Sequence, residues 1–256
     1  MGNKKKSNKS VPGKNEFFDI SSLRGWGIIW FPVSMSKIST KQSVSNFVDW
    51  LKFFGDRKVN DAQVGLNFTY CDYIYFNSSV SARNMKDKSL FQMISHKNGL
   101  KKKIRKNRKD FQIQHAFHFE TWGNLTLELE DDFNSLFNKI KSFYNKDSLF
   151  RKYIKEDAKY LGRKLNGNQL NFFLEEHLVV YLVLNKKVRF RNEYVQGREN
   201  WILLAHPGVP LKAQVYLFQK NPLGFKTDNP YIGQYNLDGK KFYDYYNFDL
   251  DSWNYD

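Results

Sequence analysis

Cysteine is nearly missing from this chain of 256 residues: Cys71 is the only one. An intramolecular disulfide and a cysteine-built metal cage are thereby excluded, and the usage suits a reducing cytoplasm. Long apolar runs are missing too. The apolar stretch Leu178–Leu184 stops at Asn185-Lys186-Lys187, far short of the roughly 20 apolar residues of a membrane helix. The opening MGNKKKSNKSVPGK is basic, but no apolar segment of signal type follows it. Lys6 also stands where the myristoylation pattern after Gly2 requires Ser or Thr. There is no Walker A motif, and no GxGxxG follows the first predicted strand, so a nucleotide cofactor has no motif support. A cytoplasmic monomer with no membrane partner and no cofactor is expected.

What the chain does contain is aromatic and basic. Apolar residues make up 41%, with 23 Phe, 15 Tyr and 6 Trp, enough to offset the entropy of ordering a substantial core. Lys and Arg number 41 against 26 Asp and Glu, a formal charge of +15 that favours a polyanionic partner through counterion release. No internal repeat or linker divides the chain. Residues 1–20 read as a flexible basic arm, 21–220 as one domain, and 221–256 as its polar-aromatic extension.

Hydrophobic periodicity orders the elements. Gly27–Val33 reads as a buried strand ending near Pro32, and Ser34-Met35-Ser36 as a turn or cap. Val44, Phe47, Val48, Leu51 and Phe54 form a helical face that Gly55 terminates. Asn67–Asn77 and Phe111–Phe119 alternate as strands, the latter putting His115 on the face opposite His118 and Glu120. Those three therefore cannot form one compact metal site, and no metal is expected. Helices are predicted around 133–144, 149–161 and 168–184, with further strands at Trp201–Leu204 and Ala213–Phe218. This alternation predicts an α/β, Rossmann-like three-layer fold, with a parallel central sheet and helices on both faces.

The most pronounced local feature is Lys97–Lys109, where Lys97, Lys101, Lys102, Lys103, Arg105, Lys106, Arg108 and Lys109 crowd together. On a helix, Lys101, Arg105 and Arg108 share one face and Lys102, Lys106 and Lys109 the next, while Leu100 and Ile104 turn inward. No acidic partners at four-residue spacing neutralise them. Two basic stripes beside an apolar seam describe a packed helix that displays a phosphate-binding surface. RNA, DNA and an acidic membrane remain open on chemistry alone, and no RNA-recognition or zinc-finger motif is present.

Reactive groups are fewer. Glu175 and Glu176 sit in FFLEEHLVVYLVL, where apolar neighbours could raise a carboxylate pKa and suit it to proton transfer. A structural hydrogen bond would explain the same residue. Ser34, Ser36 and Ser39 follow the first strand, where loops at the carboxyl ends of strands line the usual crevice of an α/β sheet. They are candidate nucleophiles or plain caps.

In order, four stretches resemble the tRNA-dependent cyclodipeptide synthases, a family related to the catalytic domain of class I aminoacyl-tRNA synthetases. Ser36-Lys-Ile-Ser39 leading into Val44–Gly55 resembles the family's NSYFS-type segment and the helix after it. Leu100–Lys109 resembles its tRNA-bearing basic helix, Asn171–Leu178 its N-Y-x-x-x-E segment, and Gly208-Val209-Pro210 with Tyr216 the stretch that closes the aminoacyl pocket. The resemblance spans roughly residues 25–220. It implies aminoacyl transfer from aminoacyl-tRNA to an active-site serine, then dipeptidyl-tRNA formation and cyclisation to a diketopiperazine, without ATP or metal.

The same resemblance implies the roles. Aligned on Ser36, the nucleophile position falls at Pro32, which makes Ser34 the nearest replacement. Met35 stands where the family has asparagine and Phe172 where it has tyrosine. The expected catalytic residues are thus Ser34, Glu176 and Tyr216, with Ser36, Met35 and Phe172 in the substrate pocket and the eight basic residues of 97–109 on tRNA. The alternative is a catalytically inactive tRNA-binding protein of the same fold.

Overall fold

The computed structural model describes residues 23–35, 37–56, 62–71, 83–107, 117–126, 129–192, 195 and 197–255. Ser36, His115, Arg108, Lys109 and the basic arm lie outside them. The elements run β1 (Gly25–Val33), α1 (Val44–Asp56), β2 (Ala62–Tyr70), α2 (Arg83–Lys106), β3 (Phe117–Thr121), α3 (Trp122–Thr126), α4 (Glu130–Lys146), α5 (Ser148–Tyr160), α6 (Gly167–Leu184), β4 (Trp201–His206), α7 (Lys212–Lys220), β5 (Gly233–Asn236) and β6 (Lys241–Asp244). The strands form one sheet in the order β3-β2-β1-β4-β5-β6. β1 pairs in parallel with β2 on one side and β4 on the other, so the strand order reverses between β1 and β4. No helix among the described residues is long and apolar enough to cross a membrane.

β1 reads as an unbroken apolar run because both of its faces are buried. Ile28 and Trp30 point to one core, shared with α3 to α7, while Ile29, Phe31 and Val33 point to the other, shared with α1 and α2. Trp30 Nε1 donates to Thr69 Oγ1 at 2.9 Å, which satisfies the one polar atom of a fully buried indole. Gly27 is dictated by packing: a Cβ there would fall inside the Trp201 indole on β4.

α2 runs without a break through Asn98-Gly99. Met93, His96, Leu100 and Ile104 are buried along its seam, and a Cβ on Gly99 would reach only van der Waals contact with Val44. β2 spans 62–70 rather than beginning at 67, and β3 overlaps only the end of the expected strand Phe111–Phe119 and runs two residues past it.

Two expectations are corrected. The sheet is mostly parallel rather than wholly so, because β6 pairs antiparallel to β5 at its edge. Ala213–Phe218, expected as a strand, belongs to helix α7. Every residue from Lys212 to Phe218 is buried, so the helical period leaves no mark in the sequence. The Asp157 carboxylate on α5 accepts the Lys212 and Ala213 N–H groups at 3.0 and 2.8 Å, fixing the start of α7 from 55 residues away. The Tyr255 hydroxyl donates to the same carboxylate, tying the C-terminal segment to that junction.

Candidate active site

Open α/β sheets bind ligands outside the carboxyl ends of their strands, where the strand order reverses. A cavity of about 600 Å³ occupies that place here. Pro32 and Ser34 reach it from the end of β1, Cys71 from just past β2, Trp122 from the start of α3, and His206 with Gly208 from the end of β4 and the loop after it. Arg163, Glu176 and His177 close it from the helical side.

Strand alternation explains which residues of the β1 end arrive. Ser34 continues the even-numbered face of Ile28 and Trp30, toward α6, and so enters the cavity. Met35 takes the odd-numbered face and is buried in the opposite core with α1 and α2. Ser34 and Glu176 thus line one cavity, and Met35 does not.

The end of β1 is held by an unusual rung. Val33 C=O accepts Cys71 N–H at 3.0 Å on the β2 side, so the backbone groups of Pro32 and Ser34 turn toward β4. The β1–β4 ladder, however, ends at Trp30 and Leu204. Gln42 fills the gap: its amide nitrogen donates to Pro32 C=O at 2.8 Å, and its amide oxygen accepts Ser34 N–H at 2.7 Å. A side-chain amide here does the work of the missing strand residue, and Pro32, with no N–H, leaves no donor orphaned. Gln42 C=O in turn meets His96 Nε2 at 2.8 Å, while Tyr70 OH bonds His96 Nδ1 at 2.9 Å. The loop after β1 is therefore tied directly to the seam of the basic helix α2. Burial holds the His96 pKa below its ordinary value.

Glu176 is not enclosed by apolar groups alone. Arg163 Nη1 lies 2.6 Å from its Oε2, both side chains about one-fifth exposed. The Arg163 guanidinium also sits 5.3 and 5.4 Å from the Phe172 and Phe173 ring centroids. Phe172 is buried beneath that guanidinium and, contrary to expectation, does not line the cavity. The neighbouring Glu175 is the carboxyl that burial raises to about 7, with Lys141 opposing the shift.

Histidines missed by motif reading flank the cavity. His177 is buried, and its Nδ1 lies 2.7 Å from Gln214 Oε1, an acceptor, so the proton sits on Nδ1 and Nε2 is the bare nitrogen. Burial pushes its pKa down to about 4. His206, at the end of β4, is held well below the ordinary imidazole value by burial and then by the Lys37 charge. Gly208, at φ +89°, carries the chain past the cavity, with its N–H on Asn236 and its C=O on Gln234 Nε2.

Tyr216 lies apart from these groups. It packs among Phe143, Phe150 and Tyr153, and its hydroxyl donates to Asp147 at 3.2 Å. Burial, with Asp147 adding to it, raises its pKa to about 12. The cavity therefore brings together two of the expected catalytic residues and leaves out the third. His118 and Glu120 share a face of β3, as expected, and their side chains approach to 3.7 Å, outside the cavity. Among the described residues, no three His, Cys, Asp or Glu side chains converge.

On α2, Lys102, Lys103, Arg105 and Lys106 are exposed, while Lys97 and Lys101 are half-buried. Lys101 Nζ rests 5.2 Å from the Phe119 ring centroid on β3, which aligns the basic face with the sheet edge.

No family model matches the chain, and no curated protein does. Among solved structures it is similar to a CDPS from Fluoribacter dumoffii, at 13% identity over 78% of this chain and 87% of that one, with a TM-score of 0.47. It is likewise similar to AlbC, a cyclodipeptide synthase from Streptomyces noursei, at 10% identity over 82% and 93% with a TM-score of 0.45. A third similar chain is a Mycobacterium tuberculosis protein described as relating cyclodipeptide synthetases to type I tRNA synthetases, at 11% identity over 81% and 82% with a TM-score of 0.46. Overlaps of this size carry no argument about chemistry, which rests on the residues of the cavity itself.

Proposed function

We propose that this protein transfers aminoacyl groups from aminoacyl-tRNA, forming cyclic dipeptides through an acyl-Ser34 intermediate and a dipeptidyl-tRNA. The observation that carries the reading is the shared cavity of Ser34 and Glu176, outside the strand ends and tied through Gln42 and His96 to the basic helix. An aminoacyl ester is already activated, so the site needs a nucleophile, a proton-transfer group and a cradle for the acceptor end of RNA. Ser34 is the nucleophile. Glu176 has its Oε2 engaged by Arg163, and its Oε1 takes the ammonium of the incoming aminoacyl group and relieves it of a proton. The basic face of α2 contributes phosphate contacts.

Incubation with a fully charged tRNA pool, read by mass spectrometry, tests the reading. Diketopiperazines and an aminoacyl adduct on Ser34 are expected in the parent. S34A should lose both, and E176Q should slow product formation. If tRNA is neither deacylated nor converted to diketopiperazine, the enzymatic reading is wrong. One observation favours a second reading, binding without turnover: Tyr216 is bonded to Asp147, away from Ser34 and Glu176. That reading predicts salt-dependent tRNA affinity that S34A leaves unchanged.

A further inference from the structure

Lys37 has no place in the chemistry described so far, although it lines the same cavity as Ser34. Its N–H donates to Ser34 C=O at 2.9 Å, closing a turn that holds the two Cα atoms within about 7 Å. Both ends of that turn are fixed. Ser34 N–H is held by Gln42, and Lys37 C=O accepts the N–H groups of Thr40 and Gln42 at 3.0 and 2.8 Å. The spacing Ser34-x-x-Lys37 is the one used by serine enzymes that form acyl-enzymes on a serine three residues before a lysine.

We propose that Lys37 is the general base that takes the proton of Ser34 during acyl-enzyme formation. This rests on Ser34 being the nucleophile, as in the preceding reading. Among the described residues, Glu176 is the only carboxylate lining the cavity, Arg163 holds it, and no carboxylate ion-pairs with Lys37. Burial lowers the Lys37 pKa from the ordinary lysine value. Arg163 and Lys41 push it the same way, and Glu176 and Cys71 oppose them. His206 lines the same cavity, and the Lys37 charge helps hold its pKa down.

The step balances without a co-reactant. Neutral Lys37 Nζ accepts the Oγ proton as Oγ bonds to the ester carbonyl carbon. The tetrahedral adduct breaks its bond to the terminal ribose oxygen, and the Lys37 ammonium returns that proton to the departing oxygen. Glu176 then serves the second half, when the amine of another aminoacyl-tRNA attacks the acyl-serine.

Two measurements test the assignment. First, the rate of acyl-Ser34 formation is followed by intact-protein mass spectrometry in the parent, K37M and K37R. Both variants should fall roughly 10²- to 10⁴-fold, the usual worth of a general base, because a guanidinium keeps the charge but cannot take the proton. Second, an amine-selective activated ester at pH 7, read by peptide mass spectrometry, should label Lys37 ahead of the exposed Lys102 and Lys103. A K37R rate within threefold of the parent would show that only the charge matters and overturn the proposal. Labelling of Lys37 no faster than Lys102 would overturn it independently of any tRNA assay. Normal acylation in K37M removes the base and leaves the Ser34 reading standing. No acyl-Ser34 in the parent removes both.

Discussion

Replacing Gln42 with alanine isolates the rung that ends β1. The substitution deletes the bonds to Pro32 C=O and Ser34 N–H while leaving the backbone carbonyl of residue 42 available to His96. Pro32 is buried, so its carbonyl loses its partner in a place water does not reach; Ser34 is half-buried, so its N–H can partly rehydrate. A buried group left unpaired costs about 1–3 kcal/mol and a rehydrated one about 0.5–1.5 kcal/mol, together about 1.5–4.5 kcal/mol. With a urea slope of about 3 kcal/mol/M, the midpoint should fall by roughly 1 M at unchanged slope. Q42E separates the two bonds, since its carboxylate still accepts from Ser34 N–H but no longer donates to Pro32. Its loss at neutral pH should equal or exceed that of Q42A, because the carboxylate is buried against the Pro32 carbonyl oxygen, and should shrink at low pH where the carboxyl regains a proton to donate. A Q42A midpoint within 0.2 M of the parent, a threshold of about 0.6 kcal/mol at that slope, would refute the idea that this amide substitutes for a strand.

Other expectations concern the surface and the core. Removing Lys102, Lys103, Arg105 and Lys106 together should weaken tRNA binding and reduce the slope of log affinity against log salt by about one for each phosphate no longer neutralised; an unchanged slope would take α2 out of the interface. Burial raises the Asp157 pKa from 3.8 to about 7 against the pull of Tyr255 and the two α7 N–H groups. The folded state therefore holds an extra proton in that interval, and this group makes stability fall as pH rises through it, by at most about 1.4 kcal/mol per pH unit. His177, held down to about 4, contributes the opposite slope as pH rises toward 6.5. D157N should remove the falling component alone, so denaturation midpoints of D157N and parent should converge toward pH 7; parallel curves from pH 4 to 7 would contradict the assignment. G27A should cost about 1–3 kcal/mol or prevent folding, because β1 must move away from Trp201, and a near-neutral melting temperature would show that the strand can shift.

Local pattern was enough for much of this molecule. The apolar run of β1, the seam of α2 and the faces of α1, α4, α5 and α6 are legible because burial on one stripe or on both faces of a strand leaves a regular mark. Ser34 and Glu176 were also legible as candidates, since a serine after a strand and a carboxylate inside an apolar helix stand out by type. α7 was misread as a strand, because total burial erases its period and its start is set by Asp157, far away in sequence. The strands β5 and β6 went unrecognised at four residues each, too short to show alternation among polar neighbours.

What the amino-acid sequence alone determined is therefore composition-borne: a basic helix with an apolar seam, an α/β order of elements, and the reactive residue types available. Only the tertiary structure decided which of those types meet. It put Ser34 and Met35 on opposite faces at the end of one strand, gave Glu176 to Arg163, bonded Tyr216 to Asp147, and brought Lys37 and His206 into the cavity. The physical reason is the range of each interaction. Periodicity and charge density are properties of neighbouring residues, whereas an ion pair, a capping carboxylate or an amide rung depends on segments 8 to 69 residues apart meeting at a distance set by the packed sheet and helices.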